Sequence, residues 1–171
     1  LFRSPSIVGF DVLLADRSRY GVEDDTSLQN VLAKINFPVV MPTEAQGVTS
    51  YQKDFFSKMF VDTQHEFLAR PTISLGHINL ILDRDGVVRR VPFVLNPQPQ
   101  ATLGGFASTT NALAFEVASF IHPGIIVSNV EKIVYSAYPG SIRHVSISRF
   151  MNDSIDELFK NKVVLIGATS P

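Results

Sequence analysis

Three polar side chains on one predicted β-hairpin have the types and spacing of an anion-binding site. His77 and Asn79 stand two residues apart in an apolar segment, and side chains at that spacing share one face of a strand. A three-residue loop ending at Gly86 would bring Arg89 beside them, whereas a two- or four-residue loop would bring Arg90. We expect the three-residue loop, because Asp opens a turn well and Gly accepts positive φ at its end. Since Arg can grip a carboxylate or phosphate with two hydrogen bonds, this face is predicted to bind an anionic ligand.

The same residue types also fit a structural role. Arg89 could pair with Asp83 or Asp85 and fasten the hairpin, while His77 could be a hydrogen-bonded histidine of the core. The Asp83-x-Asp85 pattern also resembles the start of a calcium loop, but calcium needs six to eight oxygens and the next acidic residue is Glu116. No metal site is therefore predicted, and both interpretations of the hairpin stay open.

A second candidate site contains Asp11 and Arg17. Asp11 lies in the apolar run 7–15, where an unpaired carboxylate would be costly to bury. One interpretation has Asp11 holding backbone amides or Arg17. The other has it at the end of a strand, facing a ligand pocket or a subunit contact. We therefore name His77, Asn79, Arg89, Asp11 and Arg17 as the candidate ligand-binding residues.

Composition and missing motifs exclude several classes of protein. The chain has no cysteine, which rules out disulfides, cysteine nucleophiles and cysteine zinc sites. Neither a Gly-x-Ser-x-Gly elbow nor a His-Glu-x-x-His zinc motif occurs, so no catalytic residue and no cofactor are predicted. A net charge of -1 offers no basic surface for nucleic acid. A binding or interaction domain is favoured over an enzyme.

The elements that would position these residues alternate between strands and helices. The near-continuous apolar run 7–15 is typical of a strand buried on both faces, as in a parallel sheet. Asp24 or Asp25 can cap a following helix, and residues 37–41 resume as a strand. This order predicts a right-handed βαβ unit.

In the rest of the chain, the pattern of apolar and turn residues predicts the hairpin, two helices and several short strands. The segment 43–70 can be read either as helical turns or as an insertion, and its aromatic residues as core packing or as an exposed patch. We predict one domain, 1–171, of mixed α/β class, with a partly parallel sheet, an antiparallel hairpin and flanking helices. The hairpin strands are 74–82 and 87–95, the helices 105–121 and 153–160, and the short strands 132–135, 143–148 and 163–166.

Three segments, in order, resemble the second class of CHASE domains, the cyclase- and histidine-kinase-associated sensory extracellular domains. They read GFDVLLADRSRYGVEDDTSLQNVL, GHINLILDRDGVVRRVPFVL and ELFKNKVVLIGATSP. The first is similar to the family's opening strand with an embedded Asp, the second to its Gly-x-x-Asn strand and Asp-Gly turn. The third is similar to its terminal strand and Gly-Ala-Thr loop. The chain departs from the family by lacking most of a preceding strand and helix.

The resemblance implies an extracytoplasmic sensor held in the cell membrane by transmembrane helices. It implies control of a cytoplasmic output domain, such as a nucleotide or diguanylate cyclase or a histidine or serine/threonine kinase. The expected partners are an unknown small-molecule ligand and a second copy in a homodimer. Sensing through protein contacts alone is the alternative.

Overall fold

The computed structural model describes residues 4–46, 56–57, 59–62, 72–97, 110–134, 138, 140–152 and 156–168. The helices are α1 (Val22–Leu32), α2 (Leu113–Ile121) and α3 (Ile147–Asn152), with a 3-10 turn at Asp156–Leu158. The strands are β1 (Ile7–Asp11), β2 (Val39–Gln46), β3 (Phe56–Ser57), β4 (Met59–Asp62), β5 (Ile73–His77), β6 (Ile81–Leu82), β7 (Val88–Pro92), β8 (Val94–Pro97), β9 (Thr110–Asn111), β10 (Val130–Lys132) and β11 (Val163–Gly167).

A five-stranded sheet organises the described residues. Strands β11, β1, β2 and β5 run parallel in that order, and β4 pairs antiparallel with β2. Thr43 of β2 stands opposite both His77 of β5 and Asp62 of β4, so β4 lies on the β1 side of β2. The apolar run predicted a strand to residue 15, but β1 ends at Asp11. It pairs with β2 only as far as Gly9, because from Thr43 onward the same edge of β2 pairs with β4.

The two longer helices pack on opposite faces of this sheet. Alternate residues of a strand point to opposite faces, and the two cores follow this rule. Leu32 of α1 packs with Val8 and Met41, whereas Val117 of α2 packs with Ile7 and Val40. The predicted mixed α/β class is confirmed, with its βαβ unit formed by β1, α1 and β2.

The parallel strands contain a topological switch point. From β1 the chain moves to β2 and then to β5 in one direction, while β11 returns to the opposite side of β1. In open α/β sheets, ligands bind beyond the carboxyl ends of the strands at such a point. Here these ends are Asp11 of β1 and Gly167 of β11, which stand opposite each other.

Two further sheets have the strand orders β6-β7-β10 and β3-β8-β9, and the predicted hairpin is formed by β6 and β7. Its turn closes with hydrogen bonds between Asp83 and Val87 and between Gly86 and Asp83. Gly86 has φ 78°, the left-handed conformation expected for the last residue of a three-residue loop. The predicted turn is therefore confirmed, but the first strand is interrupted between His77 and Ile81.

Two helix starts differ from the sequence prediction. Helix α1 begins at Val22 after Gly21, and Asp24 and Asp25 lie in its first turn instead of capping it. Their carboxylates accept hydrogen bonds from the hydroxyl and backbone N–H of Ser18, which tie the preceding loop to the helix. Helix α2 begins at Leu113, because the residues before it pair with β8; residues 105–109 of the predicted helix lie outside the described part.

The strand predicted at 143–148 is wrong. Helix α3 starts at Ile147, and the hydroxyl of Ser146 accepts a hydrogen bond from the backbone N–H of Arg149, as an N-cap does. The alternating pattern was therefore a loop followed by a cap. Of the predicted helix 153–160, the described part forms only a 3-10 turn, and the described residues of 56–62 are strands. The strand near 132 is shifted to begin at Val130, and β11 is found where predicted.

The described helices are all too short, or too polar, to cross a membrane.

Helix α2 touches strand β5 at Gly76. A Cβ at this position would lie 2.5 Å from the Leu113 Cα and 2.8 Å from its backbone nitrogen. Backbone atoms cannot move aside as a flexible side chain can, so only glycine allows this approach. Helix α2 can therefore pack this close to the sheet only because residue 76 is a glycine.

We expect Gly76→Ala to destabilise the fold by about 1–3 kcal/mol, because it forces α2 away from β5. Urea unfolding measures the change in free energy. Gly167→Ala is the matched control, since its Cβ would meet nothing closer than 3.4 Å. Equal midpoints for the two variants would contradict the tight contact.

Candidate functional site

Asp11 occupies the carboxyl end of β1, at the switch point. Its side chain is exposed, and it lies over Gly167: a Cβ at that glycine would be 3.4 Å from the Asp11 Cβ and 3.7 Å from its Oδ2. No other described residue gives this carboxylate a hydrogen bond or ion pair. The interpretation of Asp11 as a strand-end residue is confirmed, and its burial within the strand is not found.

Arg17 lies on the loop that follows β1, at the same end of the sheet as Asp11. Its side chain is exposed, and the next residue, Ser18, is anchored to the first turn of α1. The loop is thereby fixed at both ends, by β1 and by α1. The exposed carboxylate at the end of β1 and the guanidinium on the loop that follows could together bind a ligand with both hydrogen-bond donors and acceptors.

His77 is almost completely buried, with 1 % of its surface exposed. It stands opposite Thr43, which is equally buried. Neither ring nitrogen forms a hydrogen bond among the described residues, although the backbone at Phe93 and Pro92 lies close enough to favour the protonated ring. Burial dominates and lowers the pKa of His77 to about 4. The ring is therefore neutral at pH 7 and out of reach of a solvent-borne ligand.

Asn79 continues the pairing of β5 with β2 by means of its side chain. Its amide nitrogen donates to the Ala45 carbonyl and its Oδ1 accepts from the Ala45 N–H, both at 2.8 Å. The side-chain amide thus takes the place of a peptide group. The prediction that Asn79 shares one strand face with His77 is wrong, because residues 78–80 leave the strand and the amide turns into the plane of the sheet.

Arg89 is engaged by its own hairpin. Its guanidinium lies 3.0 Å from the Asp83 carboxylate and 2.8 Å from that of Asp85, while Arg90 lies 2.6 Å from Asp83. Hydrogen bonds from Arg90 and Arg89 lower the pKa of Asp83, and those from Arg89 lower the pKa of Asp85. This arrangement corresponds to the structural interpretation of the hairpin.

A β-bulge in the hairpin also shifts Arg89 out of the expected register. Leu82 stands opposite Val88, but Ile81 stands opposite Arg90, so one extra residue is inserted in β7. The predicted convergence of histidine, asparagine and arginine on one face required regular alternation from residue 75 onward. Ligand binding by Arg89 remains a prediction that would require breaking its ion pairs.

Thr43 was missed by sequence reasoning. It follows Val39 and Met41 at a spacing of two, and all three are buried on one face of β2. That spacing was a usable signal, but the residue was assigned to a segment without a clear pattern. Among the described residues, no group of three or more potential metal ligands comes together.

We expect Asn79→Ala to destabilise the fold by about 1–3 kcal/mol, because the N–H and C=O of Ala45 lose their partners in a partly buried place. Hydrogen exchange should show faster exchange of the Ala45 amide. Asn30→Ala, an exposed change on α1, is the control. Unchanged protection of Ala45 would mean that the side chain does not close the sheet.

Comparison with curated proteins and with solved structures finds no match. The CHASE2 domain model matches residues 3–171, which is nearly the whole chain. This agrees with the three segments that resemble the second CHASE class. The chain belongs to the CHASE2 family of extracellular sensory domains.

Proposed function

We propose that this chain is the sensing part of a bacterial transmembrane receptor and regulates a cytoplasmic cyclase or kinase. Its membership of a sensory domain family over residues 3–171 carries the proposal. Sensor domains of this kind change an output by favouring one of two arrangements when the stimulus is present. On this proposal the chain binds its stimulus outside the cytoplasmic membrane and performs no chemistry itself.

The carboxyl edge of the parallel strands is the best-supported place for a ligand. Asp11 stands at the switch point with an exposed carboxylate, next to a position where glycine leaves space. A carboxylate accepts hydrogen bonds only, so it favours ligands with hydroxyl or amino groups. We propose a small ligand of this chemistry, bound by Asp11 at the end of β1.

Sensing through a second copy is the alternative that one observation favours. Leu165 of the outer strand β11 is 66 % exposed, and Ile147 and Met151 of α3 are 77 % and 75 % exposed. Phe150 of α3 packs edge-on against Phe159, which holds α3 near the start of β11. Large apolar side chains this exposed are candidates for contact with a partner.

The test of ligand sensing is thermal unfolding of the chain with a set of polyols, amines and amino acids. A ligand at 100 times its Kd should stabilise the folded state by about 2.7 kcal/mol. Asp11→Asn should weaken binding about 10-fold or more, because a charge-assisted hydrogen bond becomes a neutral one. Glu23→Gln, which removes an exposed acid on α1, should leave binding unchanged.

The outcomes separate the two forms of sensing. A stabilising ligand that binds Asp11→Asn as tightly as the original chain would place the site elsewhere. If no compound stabilises the chain, while Leu165→Lys converts a dimer to a monomer in sedimentation, sensing through a second copy is supported. Full-length receptor whose output responds neither to ligand nor to the loss of the dimer would contradict the proposed function.

A further inference from the structure

One buried polar pair lies between two apolar cores on the same face of the sheet. Val39 and Met41 of β2 belong to the core covered by α1, whereas Ala45, further along the same face, packs with Ile81 and Leu95 of the smaller sheets. Thr43 lies between these positions, opposite His77. We call the contact of His77 with the backbone of Pro92 and Phe93 the seam, since it joins the five-stranded sheet to the smaller sheets.

No described side chain that packs at the seam could neutralise a charged imidazole, and the register places Asp62 of β4 beyond Thr43, two strands away from His77. Glu44, on β2, points to the opposite face and is exposed. Arg89 and Arg90 of β7 face the carboxylates of their own hairpin. Glu116, at the start of α2, accepts a hydrogen bond from the Asn111 side chain. A proton on His77 would therefore create an uncompensated charge in a place that water does not reach.

We propose that acidification is a stimulus of this domain, and that protonation of His77 opens the seam between the five-stranded sheet and the smaller sheets. The inference rests on the proposed sensory function and names the proton as a ligand. An extracytoplasmic domain is exposed to the pH of the surroundings, so such a device would report that pH directly. In the open state the imidazolium reaches water, so the proton binds the open state more tightly than the closed one. A two-state sensor needs this difference in affinity.

The direction of the effect follows from linkage. The pKa of His77 is about 4 when buried, and the open state restores the ordinary value of 6.5. The open state binds more protons below pH 6.5, so acid favours opening, and stability is lost as pH falls from 6.5 toward 4. The equilibrium constant for opening should rise about 30-fold between pH 7.5 and pH 5.0.

The hairpin should remain closed over the same range. Asp83 and Asp85 have pKa values lowered by their arginine partners, so both stay charged at pH 5.0. The ion pairs of the hairpin and the seam therefore respond to different ranges of pH. This makes the expected change a movement between sheets and not a general acid unfolding.

Hydrogen exchange at pH 7.5 and 5.0, corrected for the intrinsic rates, tests the opening. The amides of His77, Phe93 and Ala112, which lie where β5 meets the smaller sheets, should lose protection about 30-fold at pH 5.0, reversibly, while residues 7–11 and 81–91 keep theirs. His77→Gln keeps a polar side chain but cannot titrate, so its protection should not change with pH. His144→Gln, an exposed histidine, is the matched control and should behave like the original chain.

Two hydrogen-exchange results would overturn the proposal. One is unchanged protection of the original chain at pH 5.0; the other is equal loss at residues 7–11, which would indicate global unfolding. If His77→Gln does not fold, His77→Met serves as the second non-titrating variant. An NMR titration of the original chain is independent of both, and a His77 pKa near 6.5 or above would also overturn the proposal.

Failure of the acid response can be told apart from failure of the sensory function. Output activity of the full-length receptor is measured at external pH 7.5 and 5.0, with and without a ligand found by thermal unfolding. A response to ligand but not to pH overturns the acid proposal and leaves the sensory function standing. A response to pH that His77→Gln abolishes and His144→Gln retains supports both.

Discussion

Strand β2 is the constraint on which the rest of the structure depends. It pairs with β5 along one edge and with β1 and then β4 along the other, so three strands are joined through it. Val39, Val40 and Met41 are buried on both faces, beneath α1 and α2. Because strand side chains alternate, one short sequence contributes to two separate cores, and a slip of one residue would exchange them.

Most of the polar groups discussed above fall into one of two energetic classes. The ion pairs of Arg89 and Arg90 are at the surface, where such pairs contribute little to stability. The buried pair of Thr43 and His77 occupies space that an apolar residue could fill at lower cost. The exposed Asp11 belongs to neither class, since it costs little and leaves an acceptor open to solvent. On the proposals made above, specificity and responsiveness are concentrated at Asp11 and His77 and not in the hairpin.

The sequence was most informative where one local pattern determined the structure. Apolar runs gave β1 and β11, and Asp followed by Gly gave the three-residue turn at Gly86. It failed where a side chain substituted for backbone, as with Asn79, because alternation assumes that every side chain stands out from the sheet. It also failed at Ser146, where an alternating pattern concealed a helix cap.

For the candidate site, too, contacts within one segment could be predicted, whereas contacts between distant segments could not. The Asp–Arg contacts of the hairpin are local and could be anticipated from spacing. The burial of His77 away from water could not be anticipated, because it depends on Pro92 and Phe93, which approach it from outside the five-stranded sheet. The position of Asp11 beside Gly167 likewise depends on pairing between the two ends of the chain.

That pairing affects how the protein is made. Ile7 pairs with Val163, so the sheet cannot gain its outer parallel strand until residue 163 has left the ribosome. Parallel contacts between residues so distant in sequence form slowly, because the loop between them must close first. Until then β1 presents an unpaired apolar edge, which is prone to pair with other chains. Expression at low temperature, or together with a chaperone, should therefore improve the yield of folded protein.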